Sequence, residues 1–135
     1  MEEYYHLRKA KDKDVETIFA LIKRASKEGQ LLYRSKADIR NHLKTFFVWD
    51  EPKAGVVACC GLTVYSKKLG EVRSLAVKHD FQNNGIGRSL VVACLELAKK
   101  KRIYEVLAIT DKVGFFDKMG FSKWLGNQFP MIIRP

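Results

Sequence analysis

EVRSLAVKHDFQNNGIGRS, residues 71–89, joins a predicted β-strand directly to the glycine-bearing start of a helix. Alternation over Val72–Val77 predicts two faces, one carrying Val72, Ser74 and Ala76 and the other Arg73, Leu75 and Val77. Both faces hold apolar groups, which favours a central strand. Apolar residues at helical spacing follow from Leu90 to Ala98. Because the first N–H groups of a helix lack intrahelical partners, this junction can dock an anion such as a pyrophosphate.

Two well-known glycine-rich phosphate loops do not match this stretch. A Walker A loop requires Gly-Lys followed by Ser or Thr, whereas the chain has Gly87-Arg88-Ser89 and lacks the more distant first glycine. A dinucleotide fingerprint places three glycines directly after the strand, and here only Gly85 and Gly87 occur, well beyond it. The structural alternative is a loop whose glycines merely permit a turn. The combination of strand, Gln82 and two spaced glycines is more specific than such a turn.

The segment resembles motif A of the GNAT acyl-CoA N-acyltransferases, in which Gln or Arg, two variable residues, Gly, one variable residue and Gly or Ala follow a strand. The resemblance implies an α/β fold with a mixed, mainly antiparallel central sheet, flanked by helices and splayed between the fourth and fifth strands. It implies acetyl-CoA as the acyl donor, with the pantetheine arm along Leu75, Ala76 and Val77. The pyrophosphate loop and first helical turn would then be Gln82, Asn83, Asn84, Gly85, Ile86, Gly87, Arg88 and Ser89.

A second stretch, Phe115–Phe121, resembles the helix end of the same family, which reads aromatic, Tyr, x, Lys, x, Gly, Phe. Gly120 suits a left-handed helix C-cap. Phe116 occupies the position of the family's Tyr, which in many members protonates the leaving thiolate, and the resemblance places Phe116 against the cofactor. Since a thiol has an unperturbed pKa of about 8.5, a thiolate can leave without that acid.

Length and composition favour one compact domain over residues 1–135, and the resemblance implies that this is a single N-acetyltransferase domain. No apolar run approaches the roughly 18 residues needed to cross a bilayer, and the N-terminus MEEYYHLRK has no apolar signal core. We therefore expect a cytoplasmic protein without a membrane partner. The three cysteines, two of them adjacent, suit reduced and buried thiols better than a disulfide framework or a metal site, so no metal is expected.

The net charge of +10, from 25 basic and 15 acidic residues, raises the question of nucleic-acid binding. The basic run 99–102 falls at the end of the long predicted helix, where cations complement the helix dipole. No aromatic residues interleave with it in the sequence, as a single-strand platform would require. A solvated helix end is therefore favoured over a nucleic-acid site, and a positive field would also attract coenzyme A.

The remaining pattern alternates between strands and helices. Further strands are predicted at Leu7, at the antiparallel pair Phe46–Trp49 and Val56–Val64, at Tyr104–Thr110, and as short final strands between Phe121 and Ile133. The first helix is capped by Asp12 or Asp14, ends at Gly29, and carries Val15, Ile18, Phe19 and Ile22 on one stripe. The second opens at Ser35, with Asp38 at capping-box spacing and Ile39 and Leu43 inward.

Several stretches also resemble the short single-domain N-acetylglutamate synthases, which acetylate the α-amine of glutamate. The stretches are Lys27–Ser35, Phe46-Phe47, Cys59-Cys60 and Glu71–Val77. The resemblance makes Arg34 and Arg73 candidates for pairing with the two substrate carboxylates, because a guanidinium fork fits a carboxylate bidentately. In the structural alternative, Arg34 only orders its loop and Arg73 extends from the sheet towards solvent. The branch usually continues with a further segment that completes its final strands, whereas this chain stops at Pro135.

The resemblance implies direct attack of a neutral amine on the thioester. A strand N–H near Leu75–Val77 would stabilise the oxyanion, and Glu71 is the candidate base acting through water, with His79 and His42 as alternatives. Three other functions stay open: acetylation of a polyamine or protein amine, a non-catalytic acyl-CoA sensor, and, least favoured, nucleic-acid binding. A homodimer also stays open.

Overall fold

The structure is a computed structural model that describes residues 6–123 and 127–135. In this part of the chain, five strands form one sheet in the order β1-β2-β3-β4-β5. The strands are β1 (Leu7–Lys9), β2 (Phe46–Glu51), β3 (Gly55–Val64), β4 (Leu69–Val77) and β5 (Glu105–Leu107). Neighbours among the first four strands are antiparallel, and β5 runs parallel to β4.

Helices cover both faces of this sheet. They are α1 (Val15–Lys27), α2 (Lys36–Asn41), α3 (Ile86–Lys100) and α4 (Val113–Asp117). One buried cluster combines α3 and Phe116 of α4 with one face of the sheet, and the other combines α1 and α2 with the opposite face. The helix α3 also makes the crossover that a parallel β4–β5 pair requires. The predicted mixed, mainly antiparallel α/β fold is confirmed.

Several predicted boundaries carry recognisable local chemistry in the structure. The Ser35 side chain accepts a hydrogen bond from the Asp38 N–H at 3.1 Å and begins α2. Gly29 lies just beyond α1 with φ +75°, and Gly120 follows α4 with φ +97°. A left-handed backbone of this kind strongly favours glycine, which explains why both helices end there.

Other boundaries differ from the sequence prediction. The strand β4 begins at Leu69 rather than Val72, and β5 covers only Glu105–Leu107 of the predicted 104–110. Leu43 lies in a 3₁₀ turn after α2 rather than inside that helix. No strand forms in residues 121–123 or 127–135, so the predicted final strands are absent there, while residues 124–126 lie outside the described part. The exposed Phe129, Met131, Ile132 and Ile133 have no buried surface to pair with, which explains why propensity alone does not make them strands.

The predicted alternation along β4 fails in its middle. Cys59 pairs with Ala76 and Gly61 pairs with Arg73, so β4 holds one more residue than β3 between these two pairs. This β-bulge contains Ser74 at φ +61°. Because the extra residue reverses the alternation, Val72 packs on the α3 side together with Leu75, whereas Ala76 packs on the α1 side. Val72 and Ala76 therefore lie on opposite faces, contrary to the prediction.

The sheet splays immediately before this bulge. The strand β5 pairs with β4 only at residues 69–71, through Leu69–Glu105, Gly70–Val106 and Glu71–Leu107. From Val72 to Val77, no strand of the described part of the chain pairs with this edge of β4. The predicted opening between the fourth and fifth strands is thus present. Its backbone N–H and C=O groups are left available to another partner.

Asp14 does not cap α1 with its side chain, and neither does Asp12, contrary to the predicted cap. The Asp14 carboxylate accepts hydrogen bonds from the Lys11 N–H at 2.7 Å and from Arg8 Nη1 and Nη2 at 2.7 and 2.9 Å. Arg8 also bonds to Asp50 of β2, so this pair ties the edge of the sheet to the start of α1. Burial tends to raise the pKa of Asp14, but Arg8 and the Lys11 N–H outweigh it, and the pKa lies below its usual value.

We expect Asp14→Asn to lower the free energy of unfolding by about 2 kcal/mol near pH 7, because a charge-assisted hydrogen-bond pair is lost. A carboxylate whose folded pKa is depressed stabilises above its unfolded pKa, so the deficit should shrink as pH falls below about 4. Urea denaturation at neutral and acidic pH measures both effects. Asp12→Asn is the control, since the Asp12 side chain is 80% exposed and pairs only loosely with Arg40. An equal deficit at both pH values would contradict the assignment.

Candidate functional site

A cavity of about 660 Å³ lies at the splay between β4 and β5. One wall is the second half of β4 and the turn that leads into α3. The opposite walls are residues 109–112 with the start of α4, and the end of α1 with the loop 28–32. The unpaired edge of β4 and the N-terminus of α3 therefore share one cleft. Among the described residues, no cluster of side chains could hold a metal ion.

The N-terminus of α3 is built to leave its first N–H groups free. Gly85 occupies the N-cap position with φ +79°, and Asn83 precedes it with φ +64°. No side chain caps this helix. The N–H groups of Ile86, Gly87 and Arg88 therefore have no intrahelical acceptor, and the positive end of the helix dipole lies at the same point. Such an arrangement can bind a phosphate.

The cavity wall contains most of the residues that the sequence assigned to the acyl donor. Those on the wall are Leu75, Ala76, Val77, Gln82, Asn83, Gly85, Gly87, Arg88 and Phe116. Asn84, Ile86 and Ser89 are not on it. The Ile86 side chain is buried in the core and the Ser89 hydroxyl donates to the Gly85 carbonyl at 3.0 Å. These residues can therefore contribute backbone N–H groups or order the turn.

The Gln82 side chain braces the turn against the strand. Its amide nitrogen donates to the Val77 carbonyl at 3.0 Å, across the intervening 3₁₀ turn His79–Phe81. This bond fixes the distance between the end of β4 and the start of α3. In this arrangement the Gln82 amide serves the loop, and the donors available to an anion at this point are backbone N–H groups.

Two aromatic residues of α4 form part of the cleft wall across from the start of α3. Phe115 and Phe116 lie edge to face at 5.0 Å, and Phe116 makes a second such contact with Phe121 at 5.1 Å. A Cβ atom at Gly87 would lie 3.7 Å from the Phe115 ring and 3.9 Å from Leu75. Gly87 at the helix start therefore lies close to the Phe115 ring, with room for little more than one methyl group between them.

The bulge at Ser74 is held from behind by a buried arginine. Arg34 Nη1 donates to the Ser74 hydroxyl at 3.2 Å, and Arg34 Nε donates to Asp38 Oδ2 at 2.6 Å. The guanidinium also stacks over the Phe46 ring at 5.1 Å. That ring fills the space over Gly61, where an added Cβ would meet it at 3.0 Å. Arg34 is not on the cavity wall, whereas its partner Ser74 is.

One nitrogen of this arginine is not satisfied by the protein. Arg34 is 3% exposed, and its Nη2 atom is buried without a hydrogen-bond partner among the described residues. Leaving a buried charged donor unpaired is costly, so such a group indicates a missing acceptor. The bond from Arg34 lowers the pKa of Asp38 below its usual value, and Asp38 therefore stays ionised as the counter-charge on the other side.

The cavity wall also carries Glu71 and Arg73, whose side chains approach each other. Glu71 is 8% exposed, and its Oε1 atom lies 3.9 Å from Arg73 Nε. The Tyr65 hydroxyl donates to the same Oε1 at 2.5 Å. The sequence reasoning did not identify Tyr65. Tyr65 could have been found only from the pairing of β3 with β4. Val64 pairs with Gly70 in that register, so Tyr65 lies diagonally opposite Glu71.

The two histidines considered as alternative bases lie in different environments. His79 is on the cavity wall, and its Nε2 atom lies 3.1 Å from Glu28 Oε1 at the end of α1. This contact lowers the pKa of the Glu28 carboxyl. His42 contacts Asp38 through Nδ1 and is not on the wall. Of the two, only His79 faces the cleft.

The cysteines are buried and free, as expected. The Cys59 thiol donates to the Ser74 carbonyl at 3.4 Å and the Cys60 thiol to the Arg73 carbonyl at 3.7 Å, so both support the bulge. Burial raises the pKa of Cys59 to about 12. The contact with Cys94, together with burial, raises the pKa of Cys60. These thiols stay protonated near neutral pH and are not nucleophiles.

The basic run ends α3 as expected, with Lys99 and Lys100 in the last turn and Lys101 at the C-cap. It lies outside the cleft. No helix in the described residues combines the length and apolar character needed to cross a membrane.

Known proteins share the fold described above and identify its family. The model of the Acetyltransferase (GNAT) family matches residues 7–121. The chain is 37% identical over 127 residues to the uncharacterized N-acetyltransferase CT2212 of Chlorobaculum tepidum, covering 94% of this chain and 81% of that one.

Two solved structures share the fold at similar sequence identity. Rv2747 of Mycobacterium tuberculosis, in complex with CoA and the ligand NLQ, has a TM-score of 0.83 and 28% identity, covering 92% of this chain and 75% of the other. N-acetylglutamate synthase of Neisseria gonorrhoeae, complexed with coenzyme A and N-acetyl-glutamate, has a TM-score of 0.75 and 27% identity. That alignment covers 84% of this chain but only 27% of the longer synthase. The chain therefore belongs to the GNAT acetyltransferase family and is an acetyl-CoA-dependent N-acetyltransferase.

Proposed function

We propose that this N-acetyltransferase acetylates the α-amine of a small amino acid with an acidic side chain, with glutamate as the acceptor. The observation that carries the proposal is the Nη2 atom of Arg34, which has no hydrogen-bond partner among the described residues and is buried behind Ser74 of the cavity wall. A carboxylate is the acceptor that best satisfies a buried guanidinium N–H. The solved synthase that was crystallised with N-acetyl-glutamate supports the same class of acceptor.

The donor half of the proposal places acetyl-CoA along the unpaired edge of β4. The pantetheine arm would pair with the backbone of Leu75–Val77, whose ladder positions β5 does not use. The pyrophosphate would accept hydrogen bonds from the first N–H groups of α3, between Gly85 and Arg88. The Arg88 side chain, also on the wall, adds a positive charge there.

Gly87→Glu should test this cradle. The Cβ of residue 87 would point towards Phe115 and Leu75 at ordinary contact distances, so the longer carboxylate would extend into the cleft. We expect acetyl-CoA affinity to fall by about 100-fold or more, because like charges in one site cost several kcal/mol. Isothermal titration calorimetry measures the affinity, with circular dichroism as the check on folding.

Gly87→Ala is the matched control and should keep its affinity, since the methyl group fits the observed space. Gly85 is a poorer test position, because its φ of +79° would strain any side chain. Undiminished acetyl-CoA binding by Gly87→Glu would show that the pyrophosphate lies elsewhere.

The charges on the cavity wall also favour an anionic acceptor. The basic side chains there are Arg24, Arg73, Lys78, Arg88 and Lys112, and the acidic ones are Glu28, Glu71 and Asp111. A polyamine or a lysine side chain would meet this excess of positive charge unfavourably. Arg73 on the wall and Arg34 behind Ser74 could serve the two carboxylates of one dicarboxylic amino acid.

The chemistry requires a neutral amine, whereas an amino acid carries an ammonium group near neutral pH. In this proposal Glu71 accepts that proton through one water, so that the N–H bond breaks and its electron pair stays on nitrogen. The amine then attacks the thioester carbonyl, and a β4 N–H near the bulge stabilises the oxyanion. The nitrogen of the tetrahedral adduct gives up its second proton to water, and the C–S bond then breaks, which forms the amide and releases the thiolate of coenzyme A. Because Phe116 has no hydroxyl, that thiolate takes its proton from water.

A thiol-release assay with a panel of acceptors tests the function directly. L-glutamate should be the best acceptor, ahead of L-glutamine, which has the same shape without the side-chain charge. Spermidine and a lysine-containing peptide should be poor acceptors. Preference for either of them would refute the amino-acid proposal, and no thiol release with any acceptor would indicate an acyl-CoA sensor instead.

Arg34→Lys should raise the KM for L-glutamate by about 100-fold and leave the KM for acetyl-CoA unchanged. A lysine cannot bind Asp38, Ser74 and a carboxylate at once in the fork geometry of a guanidinium. Arg40→Lys is the matched control on α2, because its side chain is 53% exposed and lies outside the cavity wall. Equal KM values for Arg34→Lys and the wild type would leave Arg34 with a purely structural role.

Glu71→Gln should lower kcat by about 100-fold, the lower end of the usual contribution of a general base. The KM for acetyl-CoA should not change, since the amide has the same shape as the carboxyl group. Glu105→Gln is the control, because Glu105 is exposed on β5 and is not on the cavity wall. Steady-state kinetics with saturating L-glutamate measure the effect, and full activity of Glu71→Gln would exclude Glu71 as the base.

A further inference from the structure

The Tyr65 hydroxyl donates a hydrogen bond to Glu71, and this bond has no role in the reaction described above. Tyr65 follows β3, and its N–H donates to the Leu69 carbonyl, which fixes the tyrosine at the base of the β3–β4 hairpin. Its hydroxyl reaches across to Glu71 Oε1 at 2.5 Å. Tyr65 is half exposed and is not on the cavity wall, whereas Glu71 is buried and faces the cavity. Tyr65 therefore touches the site only through Glu71.

The contacts of Glu71 distinguish its two carboxylate oxygens. Tyr65 binds Oε1, and Arg73 Nε is 3.9 Å from the same atom. Oε2 has no hydrogen bond or ion pair with any of the described residues, and Glu71 itself lies on the cavity wall, so Oε2 is available to a water or an amine. A carboxylate held at one oxygen cannot rotate freely about its last torsion, so its second oxygen keeps one direction.

We propose that Tyr65 is a positioning residue for the acetyl transfer, holding Glu71 by Oε1 so that Oε2 receives the proton of the acceptor ammonium. The role rests on the proposed function of Glu71 as the base acting through water. The transferred proton passes from nitrogen to water, and the water passes its own proton to Oε2. Tyr65 keeps its proton throughout and forms no bond to either substrate.

Tyr65 remains a donor under the conditions in which this step occurs. Partial burial and the bond to Glu71 raise the pKa of Tyr65 above its usual value, so the hydroxyl stays protonated well beyond neutral pH. Arg73 and Arg34 oppose this effect from a distance.

Tyr65→Phe is the decisive variant, because it removes one hydroxyl and keeps the ring. Because the variant removes a hydrogen bond to the carboxylate of the base, the acidic limb of the kcat/KM profile should move to higher pH. We expect kcat with L-glutamate to fall by about 10-fold, a part of the general-base contribution, with an unchanged KM for acetyl-CoA. The midpoint of the Glu71 carboxyl titration, followed by carbon NMR, should shift in the same direction without any substrate present.

Tyr104→Phe is the matched control, because Tyr104 is 81% exposed and lies outside the cavity wall. It should change neither the profile nor the titration. The double variant Tyr65→Phe/Glu71→Gln should be no slower than Glu71→Gln alone, since a residue that acts through Glu71 has no effect once the carboxylate is gone.

The outcomes separate this inference from the proposed function. In one outcome, Glu71→Gln is impaired but Tyr65→Phe keeps the wild-type kcat/KM pH profile and the wild-type carboxyl titration. This result overturns the role of Tyr65 and leaves Glu71 as the base. A fully active Glu71→Gln overturns the base, and the role of Tyr65 falls with it. An additive double variant shows that Tyr65 acts independently of Glu71, which also overturns the inference.

Discussion

The left-handed backbone at Ser74 is the constraint on which the functional half of the molecule depends. One extra residue in β4 reverses the direction in which its side chains point. Val72 and Leu75 therefore pack in the cluster with α3, whereas Ala76 packs in the cluster with α1. The partnership of β4 with β5 ends at Glu71, just before the extra residue, and the cleft opens there. A non-glycine residue at positive φ is strained and persists only where its surroundings hold it. Here Arg34 holds the Ser74 side chain, and the thiols of Cys59 and Cys60 bind the two carbonyls of the bulge.

In the proposed function, Arg34 both supports the sheet and binds the acceptor. Its stacking on Phe46 and its bonds to Asp38 and Ser74 explain why a guanidinium can be buried at this position. Most buried polar atoms have a hydrogen-bond partner, whereas Nη2 of Arg34 has none among the described residues. In the proposed function the acceptor carboxylate supplies the missing partner. The acceptor would then complete the support of the bulge whose backbone is proposed to stabilise the oxyanion, so acceptor binding and catalytic geometry would be coupled through one side chain.

Electrostatics divide the cleft into regions with different tasks. The N-terminus of α3 offers backbone donors and a helix dipole to the diphosphate, and this needs no charged side chain. Glu71, held by Tyr65 and near Arg73, is a buried carboxylate in a wall with more basic than acidic groups. The basic side chains behind the net charge of +10 are therefore not all on the outer surface, since some of them line the cleft. The basic end of α3, which is more conspicuous in the sequence, lies outside the cleft.

Local chemistry explains what could be read from the sequence. The glycines at positions 85 and 87, the Ser35 cap and the Gly29 and Gly120 helix ends act over a few residues, so the strand–loop–helix cradle, the helix boundaries and the family were determined by the sequence itself. Arg34, Arg73 and Glu71 could be named from the resemblance, but not their contacts. Only the tertiary structure decided four other features. They are the bulge at Ser74, the change of side-chain direction along β4, the Nη2 atom of Arg34 that has no partner among the described residues, and the bond from Tyr65 to Glu71. Each of them depends on the register between strands or on a contact between residues distant in the chain, and no local preference encodes either one.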